Sequence, residues 1–425
     1  MYDKERTNDL LRCRLQLRAT CAILAIKLDE NLSIRVWFLV VSGGNLFVKI
    51  TCKQQDLNRG LSTVSHAVSS RSTLPILANI LLSTEQGSLK LSATNLEIGI
   101  NCLIDAEVLE EGTTTVPAKT FTDLVNSLRQ GLVELTVVED SNDINVKSPG
   151  SNANIKGMDP SEFPLIPSAE GDEEPIILDA GLLKDMIAQV VFAAADDDSR
   201  PVLTGILVEV ADEKVSFAAA DAFRLALRIS SLAGHLTEHS SILIPARTLS
   251  ELARILPSEG AVQMVVTPNR SQVLFHTEHV DLVSRLIEGT FPNIKAAIPK
   301  EYATRAVIET KEFAAAVRTV TPFARDSSNI TRIKVSSGGT GSDGGSLTLE
   351  STAEDIGNNI TTINAAVDGP DQEIIFNVRY LTDVLNILDT PEVALEVTSA
   401  ARPGVVRPVG PAEYTYVIMP MSTNR

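Results

Sequence analysis

The chain repeats one pattern three times, and this repeat limits its fold more than any other feature. The segment 116–119 recurs at 244–247 and again at 376–379, at nearly equal intervals. Each copy follows an apolar run of strand type and begins a segment with apolar residues at helical spacing. Repeats of roughly 20–50 residues indicate solenoids or propellers, whereas this period is the length of a whole domain. The sequence therefore predicts one domain fold used three times in tandem.

Two amphipathic helices are predicted in each repeat, and the first of them spans about 53–70 in the first repeat. The apolar stripe of the first helix is formed by Leu57, Leu61 and Val64, then Leu183, Ile187 and Val190, then Phe313, Val317 and Val320. The stripe of the second helix is formed by Phe121, Leu124 and Leu128, then Leu249, Leu252 and Leu256, then Leu381, Val384 and Leu388. Alternating runs such as 89–93 and 215–218 predict antiparallel strands between the helices. Each repeat is therefore expected to be a βαβββ half followed by a similar half.

The predicted fold class is α+β, with three domains of one type at 48–172, 173–299 and 300–425. An acidic stretch at 172–174 and a Pro-Lys-Glu sequence at 299–301 mark the two boundaries. Each domain is long enough to bury a core of its own.

Residues 1–47 lie outside the repeat and differ from it in charge. They carry seven Lys/Arg against five Asp/Glu, so the rest of the chain, 48–425, carries a formal charge of −19. Arg12, Arg14 and Arg18 precede an apolar stretch as in a signal peptide, but Lys27 interrupts that stretch. We therefore favour a poorly ordered extension, or a segment that is not translated. In the second case translation starts at a GUG codon that is written here as Val48.

The net charge and the cysteines restrict the class of protein. The formal charge is −17, which by itself argues against static binding to nucleic acid. The four cysteines show no CxxC spacing, so neither a disulfide framework nor a zinc site is indicated, and a reducing compartment fits. No apolar run reaches the roughly 20 residues that a membrane-spanning helix requires.

Groups of residues that resemble ligand sites have simpler interpretations. The Gly-rich loop 338–345 lacks the Lys-Ser/Thr ending of a phosphate cradle and leads into a strand, so it is expected to be a hairpin loop. Asp196–Asp198 follows a predicted helix and is interpreted as a solvated turn. His235 and His239 have the spacing of helical metal ligands, but neighbouring Gly and Ser residues predict a loop.

No catalytic arrangement is predicted either. His276 and His279 are three positions apart in a predicted strand, which places them on opposite faces. No Ser or Cys lies in a nucleophile motif. The sequence therefore predicts a protein without enzymatic activity, metal or cofactor.

Three basic residues share one repeat position. Lys119, Arg247 and Arg379 lie at the start of the second predicted helix, where the helix dipole disfavours a cation by about 0.3–1 kcal/mol. One interpretation is a surface cation beside a carboxylate. The alternative is that three basic helix starts face one polyanion, so that an acidic exterior and a mildly basic, helix-lined interior reconcile the charge of −17 with DNA. Further basic residues on the predicted helices are Lys53, Arg59, Lys184, Arg254, Lys311 and Arg318.

Six short motifs together are specific for one family. They are Thr73–Leu77, Thr114–Ala118, Ala220–Ala226, Phe376–Val378, Tyr416–Met421 and the Phe-Pro pair at 163–164, which recurs at 291–292. With them the chain resembles the bacterial sliding clamps, the beta subunits of the DNA polymerase III holoenzyme. The resemblance covers about 48–425 and begins at Val48–Ile50, as the family begins, which leaves residues 1–47 unexplained.

The resemblance implies a head-to-tail homodimer whose domains form a six-domain ring, with helices inside and antiparallel sheets outside. The ring would be a processivity factor that encircles duplex DNA, slides without reading sequence and tethers a polymerase. The implied partners are double-stranded DNA, the catalytic subunit of the replicative DNA polymerase, the clamp loader and other clamp-binding repair and replication proteins, with no membrane. The implied location is the cytoplasm, at the nucleoid during replication.

By resemblance, a partner-peptide pocket lies between the second and third domains. Its expected residues are Leu203, Ala220, Ala222, Phe223, Arg224, Leu225, Pro292, Asn377, Tyr380, Val417, Ile418, Met419, Pro420 and Met421. The chain departs from the family where Ala220 and Phe223 replace a Thr and a polar residue. It departs again at Ala296 and Ala297, in a stretch that often carries a basic residue.

The resemblance also assigns residues to DNA contact and to the ring interface. Arg71 and Arg200 match DNA-contacting loops. Ile155, on an edge strand, and Phe323, after the first helix of the third domain, match the contact between the two chains.

Two other classes of protein stay open at the level of residues alone. A tandem β-rich adhesion protein of the cell surface would need an export signal and usually lacks the ending Met419–Met421. A nucleotidyl-transfer enzyme would need a pair of carboxylates placed by the fold, and no such pair is readable. A dimer in solution without DNA distinguishes the clamp from the adhesion protein.

Overall fold

In each repeat a strand leads directly into each of two helices, and antiparallel strands follow. The computed structural model describes residues 48–69, 73–138, 141–167, 175–232, 240–338 and 344–422. The extension 1–47, Arg71, His235 and His239 lie outside the described residues. No helix in the described ranges is long and apolar enough to cross a membrane.

The first repeat contains two helices between short strands. Its elements are β1 (Lys49–Lys53), α1 (Gln54–Ser65), β2 (Asn79–Glu85), β3 (Ser88–Thr94), β4 (Ile98–Ile104), β5 (Ala106–Glu110), β6 (Thr113–Pro117), α2 (Ala118–Ser127), β7 (Leu132–Val137), β8 (Ile144–Ser148) and β9 (Ser151–Ile155). Short 3₁₀ helices lie at Pro75–Ala78 and Pro160–Glu162.

The second repeat follows the same order. Its elements are β10 (Ile176–Asp179), α3 (Ala180–Val191), β11 (Gly205–Ala211), β12 (Lys214–Ala220), β13 (Arg224–Ser231), β14 (Ser240–Pro245), α4 (Ala246–Ile255), β15 (Ala261–Val266), β16 (Gln272–His276), β17 (Val280–Arg285) and α5 (Ile294–Ala297). A 3₁₀ helix at Pro201–Thr204 precedes β11, as the one at Pro75–Ala78 precedes β2.

The third repeat has the longest helix. Its elements are β18 (Thr304–Glu309), α6 (Thr310–Arg325), β19 (Ile330–Ser336), β20 (Ser346–Ala353), β21 (Gly357–Asn364), β22 (Ala366–Asp368), β23 (Gln372–Asn377), α7 (Val378–Leu385), β24 (Glu392–Val397), β25 (Gly404–Pro408) and β26 (Glu413–Ile418).

The described residues divide into two compact units. The first comprises the chain up to Ala93 together with Leu103–Phe163, and the second comprises Thr94–Cys102 together with Pro164–Arg425. In the first unit a five-stranded antiparallel sheet has the order β5-β1-β7-β8-β9, and β2 pairs with both β3 and β6. The predicted boundaries at 172 and 299 stay predictions.

The second unit contains the second and third repeats. Its strands β10, β15, β16 and β17 follow one another, and β17 pairs with the 98–102 part of β4. A nine-stranded antiparallel sheet has the order β14-β11-β12-β13-β26-β25-β24-β18-β22, so the β13–β26 pair joins the two repeats. A four-stranded sheet has the order β21-β20-β19-β23.

The predicted helical stripes are buried, which confirms the periodicity. All nine stripe residues of the first helices, from Leu57 to Val320, are at most 1% exposed. In the second helices Phe121, Leu249 and Leu381 are fully buried, and the two helices of each repeat pack against each other. Leu124 and Leu128 are only half-buried, because Val125 takes the core position in the first repeat.

Two predicted helix ends were wrong. α1 ends at Ser65 rather than near residue 70, because the N–H groups of Ala67 and Val68 bond to carbonyls three positions back, at 3.0 and 3.2 Å. α6 continues through Pro322 to Arg325, so Phe323 lies inside the helix instead of after it. Proline removes only one helical hydrogen bond, and the burial of Ala324 favours the further turn.

The other candidate ligand groups have the following places. Asp197 accepts hydrogen bonds from the N–H and the hydroxyl of Ser199, at 2.9 and 2.6 Å, in an exposed turn. The strands β19 and β20 flank the Gly-rich stretch, whose residues 339–343 lie outside the described ranges. His276 ends β16, whereas His279 lies in the following turn, so the expectation that both belong to one strand was wrong.

Candidate functional site

The candidate pocket lies beside the strand pair that joins the second and third repeats. In this antiparallel pair Arg224 faces Ile418 and Leu225 faces Val417 across β13 and β26. The last residues of the described chain continue past β26, and the Met419 N–H donates to the carbonyl of Phe223 at 2.8 Å. The chain therefore brings the motif 220–226 and the motif 416–421 together at one point.

The turn before β13 is fixed by one carboxylate. Asp221 Oδ1 accepts the backbone N–H groups of Phe223 and Arg224 at 2.7 and 2.8 Å, as an Asx turn does. The Asp221 N–H in turn donates to the carbonyl of Arg224 at 3.1 Å. This tight turn holds Phe223 outward, where 57% of it is exposed.

Arg224 is the centre of the polar contacts at the pocket. Its Nε donates to Asp221 Oδ2 at 3.0 Å, and its Nη1 donates to Asp383 Oδ2, on α7, at 2.5 Å. Its guanidinium lies 4.6 Å from the centre of the Tyr380 ring and 5.5 Å from that of Phe192. Because its side chain is 12% exposed and two of its nitrogens are engaged, Arg224 has few donors left for a partner.

Burial and neighbouring charges shift the pKa values of this cluster. Burial raises the pKa of Tyr380, and the carboxylate of Asp221 adds to the effect. Burial also raises the pKa of Tyr416, so both phenols stay neutral at physiological pH. Burial lowers the pKa of Arg224, but its neighbours Tyr416, Asp383 and Asp221 raise it by more, so the guanidinium stays charged.

The C-terminal segment forms a second wall of the candidate pocket. Met419 is 44% exposed, and the Met421 N–H donates to the carbonyl of Ile375, on β23, at 2.8 Å. Two backbone hydrogen bonds therefore hold this segment against the second repeat at one end and the third repeat at the other. Phe223 and Met419 are therefore two exposed apolar residues whose backbones are joined by a hydrogen bond.

Several predicted pocket residues belong to the core. Leu225 and Val417 lie in a buried cluster with Ile294, and Phe291 packs against it. Ile418 is fully buried, and Leu203 is 6% exposed on its 3₁₀ helix. These residues are buried and therefore expose little surface to a partner.

Other predicted pocket residues lie on its edges or away from it. Asn377 caps α7 by accepting the Arg379 N–H at 3.0 Å, and Tyr380 lies one turn further on. Pro292 lines a separate cleft of about 470 Å³ over the β11–β14 edge. Among the departures from the family, Ala220 is half-buried, and Ala296 and Ala297 are exposed on α5. Two further predicted pocket residues, Ala222 and Pro420, are exposed and half-exposed respectively.

Sequence reasoning missed Asp383 and Phe192, which complete the surroundings of Arg224. Asp383 lies three positions after Tyr380, so both project from one side of α7. That helical spacing was visible in the sequence, but nothing in it identified Arg224 as the partner 159 positions away.

The three basic residues at the repeat position lie as predicted. Lys119, Arg247 and Arg379 are the second residues of α2, α4 and α7, and all three are exposed. Within the described ranges none of them forms an ion pair. The surface carboxylate that the simpler interpretation required is therefore not found in the described part of the chain.

The remaining basic candidates differ from one another. Arg59 and Arg254 form helical ion pairs with Asp56 and Glu251, each at 2.8 Å. Lys53, Lys184, Lys311, Arg318 and Arg200 are exposed on or beside helices. Ion pairing at this helical spacing reduces the attraction of Arg59 and Arg254 for an external anion.

The two predicted interface residues lie on different units. Ile155 ends the edge strand β9 and is 7% exposed. Phe323 is half-exposed near the end of α6, which packs against β20 and β21.

The chain contains three tandem copies of one α+β repeat, exposed cations at matching helix starts and exposed apolar residues at a strand junction. Together these features define a protein of the DNA-clamp class. Models of the DNA polymerase III beta subunit match residues 48–167 as its N-terminal domain, 177–293 as its central domain and 295–422 as its C-terminal domain. The chain belongs to the DNA polymerase III beta subunit family, the bacterial sliding clamps. It is therefore a processivity factor of DNA polymerase and not itself an enzyme, as the sequence predicted.

Individual relatives agree with this assignment over nearly their full length. The chain is 31% identical to the beta sliding clamp of Synechocystis over 393 residues, which cover 88% of this chain and 99% of the relative. It is 30% identical to the beta sliding clamp of Bacillus subtilis, with 88% and 100% covered. The crystal structure of the Bacillus subtilis DNA polymerase sliding clamp superposes with a TM-score of 0.83 at 28% identity, covering 89% of this chain and all of that one. The Thermotoga maritima beta subunit gives 0.80 at 26%, with 89% and 100% covered.

Proposed function

We propose that two copies of the chain form a ring that encircles double-stranded DNA, slides along it without sequence specificity and holds the replicative polymerase there. The observation that carries this proposal is the exposed cation at the second residue of α2, α4 and α7, in a chain of net charge −17. A cation at a helix start opposes the helix dipole and has no intrinsic stabilising role. Its recurrence in every repeat is explained by one extended anion.

The charges explain why the protein slides rather than binds in place. Phosphate contacts carry no sequence information, and few of them give a weak grip. The logarithm of the binding constant for duplex DNA falls linearly with the logarithm of the salt concentration, with a slope of about −0.9 for each phosphate that is neutralised. Three cations per chain in an otherwise acidic protein give a grip that depends strongly on salt, while encirclement prevents escape.

The partner pocket is the apolar surface around Phe223 and Met419, backed by Leu225, Val417 and Leu203 and bordered by Tyr380 and Arg224. Exposed aromatic and Met side chains favour a short, partly apolar peptide, because Met adapts to several partners. We assign this surface to the polymerase catalytic subunit, the clamp loader and other clamp-binding replication and repair proteins. Tethering converts repeated encounters into a high local concentration.

The ring contact joins two regions of different units. We assign it to the strand that carries Ile155 in one chain and to the helix that carries Phe323 in the other. From the replicative role we infer a location in the cytoplasm, at the nucleoid during replication.

The test of encirclement is topological. The protein is loaded onto a nicked circular plasmid by its clamp loader, and its retention is followed before and after the plasmid is cut once. The intact chain should stay on circular DNA and leave linear DNA. The triple variant Lys119→Glu, Arg247→Glu and Arg379→Glu should be lost from circles at least about tenfold faster at raised salt, with its melting temperature unchanged.

A control variant reverses three cations on strands, Lys90→Glu, Lys214→Glu and Arg285→Glu, with the same change in net charge. Its retention should equal that of the intact chain at every salt concentration. Equal loss from circular and linear DNA by the intact chain would contradict encirclement. Equal behaviour of the two triple variants would contradict a special role for the helix starts.

A further inference from the structure

Two arginines on the nine-stranded sheet share one carboxylate. Arg407, on β25, donates from Nε to Glu396 Oε2, on β24, at 3.1 Å. The Nε of Arg305, on β18, lies 3.5 Å from Glu396 Oε1. Asp368 faces Arg305 from β22, but in the described part of the chain it forms no ion pair. Two cations and one carboxylate therefore leave this group of side chains with one excess positive charge.

The carboxylate of this group is covered, whereas both guanidiniums reach solvent. The side chain of Glu396 is 13% exposed, and those of Arg305 and Arg407 are 33% and 35% exposed. Arg407 Nη1 also donates to the hydroxyl of buried Thr415, which fixes the plane of that guanidinium. Within the described residues, Arg407 Nη2 and both Nη atoms of Arg305 donate no hydrogen bond. Two donor groups held by the same carboxylate are therefore accessible to an external acceptor.

The arginines lie on the same face of the sheet as residues behind the partner surface. One row of directly paired residues crosses this face: Leu225, Val417, Val405, Glu396 and Arg305. Paired residues project from the same face, and Arg407 shares it because it lies two positions from Val405. Since neighbouring strands are about 4.8 Å apart, Arg305 lies roughly 19 Å from Leu225 along the row.

The segment around α5 covers the middle of this row. Ile294 is buried in one cluster with Leu225, Val405 and Val417, and Ile298 packs against that cluster. Arg305 and Glu396 lie at the other end of the row, beyond the covered residues. A short peptide docked around Phe223 and Met419 therefore finds no exposed path along the row. A contact with the arginines requires a second segment of the same partner.

The surroundings of the arginines favour a single carboxylate over nucleic acid. By the strand register, Asp368, Glu413 and Glu209 lie on the same face of the sheet. Duplex DNA carries a charge about every 1.7 Å along its axis, so it would meet these carboxylates as well as the arginines. A planar guanidinium matches one carboxylate by two parallel hydrogen bonds. An aspartate or glutamate of a protein therefore fits this site better than a phosphate backbone.

We propose that Arg305 and Arg407 bind an aspartate or glutamate of a partner protein whose docking peptide occupies the surface around Phe223 and Met419. This inference rests on the partner binding proposed above and adds a second contact to it. Two contacts made by one partner strengthen each other, because the first raises the effective concentration for the second. A cationic site on a chain of net charge −17 also fixes the orientation of the partner over the sheet, since a misplaced carboxylate is repelled.

The test compares a whole partner with its docking peptide. Dissociation constants of the replicative polymerase catalytic subunit and of a fluorescent clamp-binding peptide are measured for the full-length chain and for the double variant Arg305→Gln and Arg407→Gln. The new amides can still donate to Glu396. Polymerase affinity should fall at least about tenfold at 0.05 M NaCl and by less at 0.5 M, because screening weakens the contact. Peptide affinity should stay within about twofold, because the docking surface is unchanged.

The matched control is the double variant Lys90→Gln and Lys214→Gln. It removes the same charge from two cations that each have a carboxylate of their own, at 2.8 and 3.0 Å. Its polymerase affinity should equal that of the intact chain. An equal loss in both double variants would overturn the site, since net charge alone would then be responsible. Undiminished polymerase binding in the arginine variant would overturn it as well. An intact chain that binds neither probe would overturn the partner surface itself.

A second variant, Arg305→Lys with Arg407→Lys, keeps both charges but not the planar donor groups. It should weaken polymerase binding at least about threefold, with an unchanged melting curve. This variant decides the question if the glutamine variant is unstable, because undiminished polymerase affinity in it would overturn the role of the guanidiniums. Loss of affinity for short duplex DNA in the glutamine variant, with polymerase binding unchanged, would identify the ligand as phosphate and overturn the proposal.

Discussion

Two turns of the second unit share their hydrogen bonds but differ in their surroundings. Asn95 Oδ1 accepts the N–H groups of Glu97 and Ile98 at 2.9 and 2.8 Å, as Asp221 Oδ1 accepts those of Phe223 and Arg224. Both turns lead into a strand that pairs with the last strand of the following repeat.

The correspondence extends to the end of each pair. The Arg285 N–H donates to the Glu97 carbonyl at 3.0 Å, just as the Met419 N–H donates to the Phe223 carbonyl at 2.8 Å. The side chains then diverge. Ile98 is buried where the second turn has Arg224, and Ile166 lies directly over Gly99, where the second turn has Leu225.

The difference shows how a repeated fold acquires one specialised site. The hydrogen bonds of the turn recur because a single Asx side chain accepts them, whether it is an amide or a carboxylate, although Leu96 in the first turn has a φ of 75° and its counterpart Ala222 has no positive φ. Arg224 gives the second turn contacts that the first turn lacks, since its guanidinium forms an ion pair with Asp383 and stacks on Tyr380. In the second repeat, the positions of Tyr380 and Asp383 are occupied by Thr248, which bonds to Ser284, and by Glu251, which pairs with Arg254.

The largest effect is expected when Arg224 is replaced by Met, which makes the second turn resemble the first. The change leaves Asp221 and Asp383 without their common partner, and removing one member of a part-buried charge pair costs roughly 2–3 kcal/mol because the other charges stay unpaired. Urea unfolding should show this loss. A fluorescent peptide of the clamp-binding type should bind about 10–100-fold more weakly, since Tyr380 loses its stacking partner.

Arg224→Lys is the control, because it keeps the charge but not the planar fork, and it should recover part of the stability and little of the peptide affinity. Unchanged peptide binding in the Met variant would mean that the guanidinium only holds the two repeats together.

A smaller effect is expected from the reverse change in the first turn, Gly99→Leu. A Cβ at residue 99 would lie 2.8 Å from Ile166 Cγ2, so Ile166 must move, at a cost of about 1–3 kcal/mol by overpacking. The free energy of unfolding should fall by that amount, and Gly99→Ala should cost less. Peptide affinity should stay as it is, and a loss of peptide binding would show that the two turns are coupled.

The smallest effect is expected from Asp221→Asn. The amide should preserve the turn, because Asn95 does so in the first repeat, and only the contact with Arg224 Nε changes. The loss of unfolding free energy should be below about 1 kcal/mol, whereas Asp221→Ala removes the cap as well and should cost about 1 kcal/mol more. Equal losses in both variants would show that the ion pair, and not the turn, is the important contact.

The sequence predicted the repeated parts of this fold better than its unique contacts. Stripe residues such as Leu57 and Phe313 were identified because helical periodicity follows from burial of one face, and the helix starts at Lys119, Arg247 and Arg379 were identified because the repeat aligned them. The end of α1 was missed because it depends on the bonds of the Ala67 and Val68 N–H groups to carbonyls three positions back, which the spacing of apolar residues does not reveal.

The candidate site was predicted only in outline. The motifs located Arg224 and Met419, but they gave no indication that Asp383 and Phe192 surround Arg224, because those contacts depend on how α3 and α7 pack beside β13. They also could not separate core residues such as Val417 from exposed ones such as Phe223, since both are apolar in the sequence. Long-range pairing decides such questions, and one sequence carries little information about it.

Within the described ranges, β9 and β21 are the edge strands that carry neither a charged side chain nor a proline, so both are open to pairing with another chain. If these two edges pair with each other in the proposed ring, the contact is heterologous, and each chain that adds leaves one free edge of each kind. Such a contact grows into an open filament unless the second chain meets the first again and closes. A substitution that alters the angle between the two edges of one chain would therefore not produce monomers. It would produce fibres, and the soluble yield of the protein would fall as its concentration rises.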